Sequence, residues 1–146
     1  MQCGSVVPQV SPFTEAHRAT LEVIYRDCRM EATWLPATVR ERSDFSRDTK
    51  GETILVAVGG DDEPEGFVSV WEPEGFIHHL YVRSGSRGKG IGQALLDALS
   101  TRMPRPWRLK CLRANSAAVA FYLARRWKEV SSGTGEDGPF ALLERT

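Results

Sequence analysis

The sequence of 146 residues predicts an α/β fold in which a mixed, mostly antiparallel central sheet is flanked by helices. One observation is an amphipathic helix, because apolar residues recur at the spacing of one helical face, at Leu21, Ile24, Tyr25 and Cys28. Another is a series of apolar runs, 53–58, 66–71 and 76–82, that short turn-rich segments separate, as in antiparallel strands. The third is a strand, a glycine-rich loop and a helix in succession over residues 75–99. A single domain over residues 1–146 accommodates all of these elements.

The N-terminal part predicts a short strand and the first helix. The apolar run 6–10 predicts an edge strand, because Pro8 within it cannot donate to a ladder. Ser11 followed by Pro12 predicts the start of the first helix, with serine as the N-cap and proline at the first helical position. Residues 37–50 predict a polar helix or loop, which we expect to bury little and to be mobile.

The elements after the glycine-rich loop complete the sheet. The helix after that loop ends near Pro104, because proline lacks the amide that a continuing helix needs. The remaining pattern predicts, in order, a strand over 107–112, a helix over 116–126 and a terminal strand pair over 127–131 and 140–144.

Composition disfavours several classes of function, including nucleic-acid and membrane binding. Lysine plus arginine equals aspartate plus glutamate at 19 each, so no overall field favours nucleic acid or an anionic membrane. A basic run over 102–113 is the local exception. The three cysteines have no metal-ligand or redox spacing, and we expect no metal and a reducing compartment. No signal or membrane-spanning segment is recognisable, which predicts a soluble cytoplasmic protein.

The glycine-rich loop is the strongest candidate for a ligand site. Its glycines alternate in the segment Arg87-Gly88-Lys89-Gly90-Ile91-Gly92, directly before a helix. The first turn of a helix carries unpaired amides and partial positive charge, and glycine lets the backbone approach a phosphate closely. Glycine spacing alone leaves open a pyrophosphate site or a plain tight turn. The dinucleotide-binding and P-loop patterns do not fit this segment.

Two motifs in this chain resemble those of one family. Leu80-Tyr81-Val82 followed by Arg87-x-x-Gly90-x-Gly92 resembles the acyl-CoA-binding motif of the GNAT superfamily of N-acetyltransferases. Asn115-x-x-Ala118-x-x-Phe121-Tyr122 resembles the closing motif of the same family. The two motifs occur in the right order, and the resemblance extends from about residue 51 to the C-terminus.

The resemblance implies a GNAT-like (acyl-CoA N-acyltransferase) fold, acetyl-CoA as co-substrate and a homodimer. In this family a bulge in the strand before the loop frees backbone groups for the pantetheine arm and the acetyl carbonyl. Carried onto this chain, the cofactor-binding residues are Leu80, Tyr81, Val82, Arg87, Gly88, Lys89, Gly90, Ile91, Gly92 and Asn115. Asn115 is also a candidate helix N-cap.

The resemblance makes Tyr122 the candidate general acid for the leaving thiolate; the alternative is a tyrosine that only packs at an interface. The attacking amine must lose a proton, and histidine suits that task. His78 and His79 are the candidate bases, because the family often places a base on this strand. Adjacent strand residues point to opposite faces, so only one of the two faces the acceptor unless a bulge intervenes. Deprotonation through water, with both histidines merely filling strand positions, is the alternative.

One position departs from the family pattern. The family usually has Gly-Phe after its last motif, whereas this chain has Arg126-Trp127. Glycine would provide a left-handed helix end, which arginine adopts less readily. We expect this difference to affect the end of the helix more than cofactor binding.

The leading functional hypothesis is an N-acetyltransferase that transfers acetyl from acetyl-CoA to a primary amine of a small molecule or peptide, by direct attack in a ternary complex. The alternative is a non-catalytic CoA-sensing or protein-interaction module on the same fold. A nucleic-acid binder using the basic run is disfavoured by the neutral overall charge. The acceptor is not readable, although Tyr25, Glu31 and Trp34 as lining residues would suit a small cationic amine.

Overall fold

The structure is a computed structural model and describes residues 8–146. Its strands are β1 (Gln9–Pro12), β2 (Thr53–Val58), β3 (Pro64–Trp71), β4 (Phe76–Val82), β5 (Trp107–Leu112), β6 (Lys128–Gly135) and β7 (Gly138–Arg145). They form one seven-stranded sheet in the order β1-β2-β3-β4-β5-β7-β6. Neighbouring strands are antiparallel except β4 and β5, which run parallel. The predicted mixed, mostly antiparallel sheet is confirmed.

Helices cover both faces of this sheet. They are α1 (Arg18–Glu31), α2 (Ala37–Glu41), α3 (Phe45–Asp48), α4 (Ile91–Ala98) and α5 (Ser116–Leu123). On one face, the apolar stripe of α1 and Phe45 of α3 pack against Val56 and Phe67 of the sheet. On the other face, α4 and α5 pack against a larger cluster that includes Leu55, Val68 and Leu143. Within residues 8–146, no helix combines the length and the apolar composition needed to cross a bilayer.

The predicted start of the first helix is wrong. Ser11 and Pro12 belong to β1, where they pair with Val56 and Leu55 of β2. The helical segment begins only after Thr14, whose backbone N–H donates to His17 Nδ1 at 3.1 Å. Serine followed by proline also suits an edge strand, and sheet pairing prevails over the local capping signal here. The predicted strand over 6–10 lies partly outside the described residues, and Pro8 precedes β1.

The segment 37–50 buries more than its polar composition predicts. Phe45 is only 3% exposed, and its ring lies 5.2 Å from that of Phe67 and 6.2 Å from that of Tyr25. One aromatic side chain therefore anchors the segment to α1 and β3. The expectation that this segment buries little is wrong at this residue.

The C-terminal elements differ from their predicted lengths. The helix predicted to reach residue 126 ends at Leu123, and the last two strands are longer than predicted. Pairing of β6 with β7 continues to Gly135 opposite Gly138. β6 is exposed over most of its length and lacks apolar alternation beyond residue 131, so its sequence carried no strand signal there.

Candidate active site

The parallel neighbours β4 and β5 separate soon after they meet. They share one ladder pair, Phe76 with Arg108, near the start of both strands. A cavity of about 920 Å³ opens between their later residues. The glycine-rich loop, α5 and the β6–β7 turn also line this cavity. Every catalytic and cofactor-binding residue predicted from the sequence lines it except Lys89, and of the three residues expected around the acceptor, Glu31 and Trp34 line it but Tyr25 does not.

The glycine-rich loop presents backbone rather than side chains to the cavity. Gly88 and Gly90 have φ of 79° and 80°, in the left-handed region that glycine adopts without strain. A Cβ built at either position would meet no atom within 4 Å. Gly90 is the N-cap of α4, so the first amides of that helix have no intrahelical acceptors. The loop therefore fits an anionic group such as a diphosphate.

Arg87 does not contribute a free charge to this loop. Its Nη2 lies 3.0 Å from Oε1 of Glu31 on α1, and its Nε donates to Val82 O at 3.0 Å. The carboxylate compensates the guanidinium, which ties the loop to α1. Anion binding at the loop would thus depend on amides and the helix terminus more than on arginine, which the sequence could not reveal.

Tyr122 lies on α5 with its side chain in the cavity wall. It is 7% exposed, and its ring packs edge-on to that of Trp127 at 5.2 Å. Burial raises the pKa of its phenol, so the group is protonated at neutral pH. The α5 helix that carries it begins at Asn115, whose side chain accepts from the N–H of Ala118 at 3.2 Å. Asn115 therefore acts as the N-cap and also lines the cavity.

A β-bulge brings both strand histidines to one face. The β3–β4 ladder pairs Ser69 with His79 and Val70 with Ile77, so His78 is an extra residue. A regular strand would point adjacent side chains to opposite faces, but the bulge lets the two imidazole rings lie 6.1 Å apart. The exception that the sequence analysis allowed for a bulge therefore applies, and His78 and His79 both line the cavity.

Glu52 is a site residue that the sequence did not suggest. It directly precedes β2, and its side chain is 6% exposed. One carboxylate oxygen pairs with Nδ1 of His78 while the other accepts from the hydroxyl of Ser69. A proton on Nδ1 directed at the carboxylate leaves Nε2 of His78 as the basic nitrogen. No motif spacing connects residues 52 and 78, because only the fold brings them together.

A comparison with protein families shows which family the chain belongs to. The model described as "Acetyltransferase (GNAT) family" matches residues 18–126, which is most of the chain. The chain belongs to this family. The resemblance read from its two motifs is confirmed.

This GNAT protein has curated and structural relatives. The L-methionine sulfoximine/L-methionine sulfone acetyltransferase of Pseudomonas aeruginosa is 44% identical over 64 residues, 39% of this chain and 37% of that protein. The chain thus matches little more than a third of that relative's length. Apo-form YjaB from Escherichia coli has a TM-score of 0.80 at 21% identity, with 95% and 97% of the two chains covered. The GNAT superfamily phosphinothricin acetyltransferase from Sinorhizobium meliloti, in complex with AcCoA, has a TM-score of 0.71 at 20% identity, with 96% and 88% covered. These structures show the GNAT fold.

His79 of this GNAT protein has a different environment from His78. Its Nε2 donates to the backbone carbonyl of Asp48 at 3.2 Å, and its ring packs edge-on to Tyr25 at 5.5 Å. Burial lowers the pKa of His79, which favours the neutral ring. Asp48 also accepts the phenolic hydrogen of Tyr25 at 2.7 Å. Tyr25 and Asp48 thus hold this histidine in place.

The end of α5 shows how the chain accommodates Arg126 at the position where the family usually has glycine. Arg126 adopts φ of 72°, and the N–H of Trp127 donates to Tyr122 O at 3.2 Å. This is the left-handed helix end that glycine forms in most of the family, here made by an arginine. The GNAT helix end is therefore kept at a cost in backbone strain.

Metal-ligating side chains do not cluster in this site. Across the described part of the chain, no group of three or more His, Cys, Asp or Glu side chains is arranged to hold a metal ion.

Proposed function

We propose that this GNAT protein is an acetyl-CoA-dependent N-acetyltransferase in which a primary amine attacks the acetyl thioester directly in a ternary complex. The observation that carries the proposal is the separation of β4 from β5, which opens one cavity to both the glycine-rich loop and the histidine pair. Membership of the family supports acetyl transfer. The AcCoA named in the solved phosphinothricin acetyltransferase structure supports the choice of co-substrate.

The cofactor side of the cavity would hold acetyl-CoA mainly through backbone groups. The amides of residues 88–92 fit the diphosphate, and the strand before them exposes Leu80, Tyr81 and Val82 to the cavity. Bound acetyl-CoA would supply the acetyl thioester. Tyr122 would donate a proton to the departing sulfur, since burial keeps its phenol protonated at neutral pH.

The acceptor side would remove the proton from the amine. An alkylamine has a pKa of about 10, so it is almost wholly protonated near neutral pH and cannot attack. His78 is the better base, because its Nδ1 faces Glu52 and its Nε2 is the basic nitrogen. His79 already uses Nε2 toward Asp48, which leaves it mainly a packing role.

The acceptor is proposed to be a small molecule. The name of the Pseudomonas aeruginosa relative specifies two amino-acid derivatives, which supports a small amine over a peptide. Glu31, expected to attract a cationic amine, forms an ion pair with Arg87 and has no free charge for that purpose. A single domain over residues 1–146, a homodimer, a cytoplasmic location and the absence of nucleic-acid or membrane partners stay predictions.

Thermal unfolding with and without acetyl-CoA tests the cofactor half of the proposal. We expect saturable stabilisation by acetyl-CoA, because a ligand that binds only the folded state raises its stability. Release of free CoA thiol with a panel of L-amino acids, simple alkylamines and polyamines then tests transfer. No stabilisation at millimolar acetyl-CoA would contradict the proposal.

The Tyr122→Phe variant tests the acid. We expect kcat to fall by about 100-fold with little change in acetyl-CoA affinity, since general acid catalysis is typically worth 10²–10⁴. Leu123→Ala on the same helix is the matched control, because Leu123 is half-exposed and does not line the cavity. Binding without thiol release, unaffected by Tyr122→Phe, would instead favour a CoA-sensing module.

A further inference from the structure

We propose that Arg29 binds a carboxylate of the acceptor, so that the acceptor carries a carboxylate as well as a primary amine. The inference rests on the proposed function, because it names the substrate class of the same site. It depends on one side chain of α1, a cation in the cavity wall that forms no ion pair with any described residue.

Arg29 projects from the last turn of α1 into the cavity wall and is half-buried. Its Nε donates to the hydroxyl of Ser43 at 3.0 Å, and its Cζ lies 5.7 Å from the centre of the Tyr25 ring. None of the ion pairs between described residues includes Arg29. Its two terminal nitrogens therefore have no carboxylate partner among residues 8–146.

The groups that contact Arg29 directly are neutral, and the Asp48 carboxylate acts on the guanidinium only through space, without an ion pair. Tyr25 and Tyr81 lie nearest, and burial raises the pKa of both phenols, so neither provides a negative charge at neutral pH. Ser43 is uncharged. A half-buried guanidinium among neutral groups is costly unless an anion completes it.

Three carboxylates close to the histidine pair or to Arg29 already have partners. Asp48 accepts from Tyr25 at 2.7 Å and from Arg47 at 2.9 Å. Glu31 is paired with Arg87, and Glu52 with Ser69 and His78. Arg29 therefore lines the cavity without an ion-pair partner among the described residues.

The position of Arg29 suits an acceptor whose amine reaches the histidine pair. The Tyr25 ring lies 5.7 Å from the guanidinium and 5.5 Å from the His79 ring, so both groups flank the same aromatic side chain. A guanidinium offers two parallel hydrogen bonds that match a carboxylate. Trp34 and Leu35 line the same cavity and offer an apolar surface to the rest of the acceptor.

The experiment compares each amino acid of the panel with its methyl ester and with the corresponding decarboxylated amine. In the wild-type protein we expect kcat/KM to be about 10- to 100-fold higher for the free amino acid, as for loss of one charge-assisted hydrogen-bonded pair. Arg29→Met should remove this preference mainly by raising KM for the amino acid, while activity on the decarboxylated amine stays within about twofold. Arg29→Lys should restore part of the preference, because lysine keeps the charge and loses the fork.

Arg26→Met is the matched control, because Arg26 lies on the same helix with a largely exposed side chain and does not line the cavity. Stabilisation by acetyl-CoA is measured for every variant, so a misfolded protein or a failure of cofactor binding is recognised separately. Equal wild-type kcat/KM for amino acids and their methyl esters would overturn the inference. So would an Arg29→Met variant that binds acetyl-CoA and keeps the wild-type preference. Absence of thiol release with every amine would instead count against the proposed function.

Discussion

The two sides of the cavity, the proposed cofactor side and the proposed acceptor side, are built in different ways. On the cofactor side, a contiguous segment places the backbone of residues 87–92 at the start of α4, and side chains contribute little. On the acceptor side, the side chains of Arg29, His78 and His79 from α1 and β4 line the cavity, while Glu52 before β2 and Asp48 of α3 hydrogen-bond to the two histidines. One side therefore depends on backbone conformation at a few glycines, and the other on mutual contacts between distant side chains.

This difference predicts which substitutions should impair each side of the cavity. A backbone site is disturbed by side chains that change φ, and it tolerates loss of charge. A site built from side chains of several elements is disturbed when single polar atoms are removed, and it tolerates little displacement of those side chains. Four experiments test this division.

The largest effect is expected on the acceptor side, from His78→Gln. We expect kcat to fall by about 100-fold because the amine loses its general base, while acetyl-CoA binding stays unchanged. Glu52→Ala should act in the same direction by releasing Nδ1 of His78 from its carboxylate partner. Steady-state thiol release and titration calorimetry with acetyl-CoA separate these quantities. Thiol release by His78→Gln at the wild-type rate would assign the proton transfer to water.

The next effect is expected on the cofactor side, from Gly90→Ala. An alanine at φ of 80° is strained, so the loop should shift its amides and weaken acetyl-CoA binding by about tenfold. Gly60→Ala is the control, because Gly60 lies in an exposed turn with open space around it and without positive φ. Calorimetric Kd values decide the comparison. Unchanged affinity in Gly90→Ala would show that the amides of this loop do not hold the cofactor.

A smaller effect, on stability, is expected from Arg126→Gly. Glycine adopts φ of 72° without strain, so unfolding free energy should rise by about 1 kcal/mol. Arg126→Ala should give no such gain, because alanine also carries a Cβ, and it therefore separates strain from charge. Urea unfolding followed by fluorescence measures both. If both variants gain equally, repulsion among neighbouring arginines and not backbone strain is the cause.

The smallest effect is a pH dependence at His79. Burial lowers its pKa in the folded state, so below the unfolded value of about 6.5 the unfolded chain binds a proton that the folded one resists. The contribution of this histidine to stability is therefore present above that pH and is lost as pH falls toward its folded pKa. Urea unfolding at pH 7.5 and 5.5 should show a smaller loss for His79→Gln than for the wild-type protein. An equal loss in both proteins would assign the dependence to other groups.

The sequence carries local signals for the proposed cofactor side and few for the proposed acceptor side. The glycine spacing and the Asn115–Tyr122 motif are local, so one chain segment specifies each. Glu52 and Arg29 carry no such signal, because their importance arises from contacts with residues 78 and 25 that only the folded sheet creates. The start of α1 was misplaced for a related reason, since pairing of Ser11 with Val56 is a tertiary contact.

The extra residue at position 78 also has a consequence for the apolar core. One additional residue in a strand ordinarily exchanges the two faces for everything beyond it. Here Ile77 and Leu80, on either side of the histidine pair, contact the same cluster under α4 and α5. Position 78 accommodates the extra residue by itself, so the strand adds a histidine beside the cavity while Ile77 and Leu80 both keep their contacts with the core. Reprogramming the chemistry at this position should therefore require no redesign of the packing beneath it.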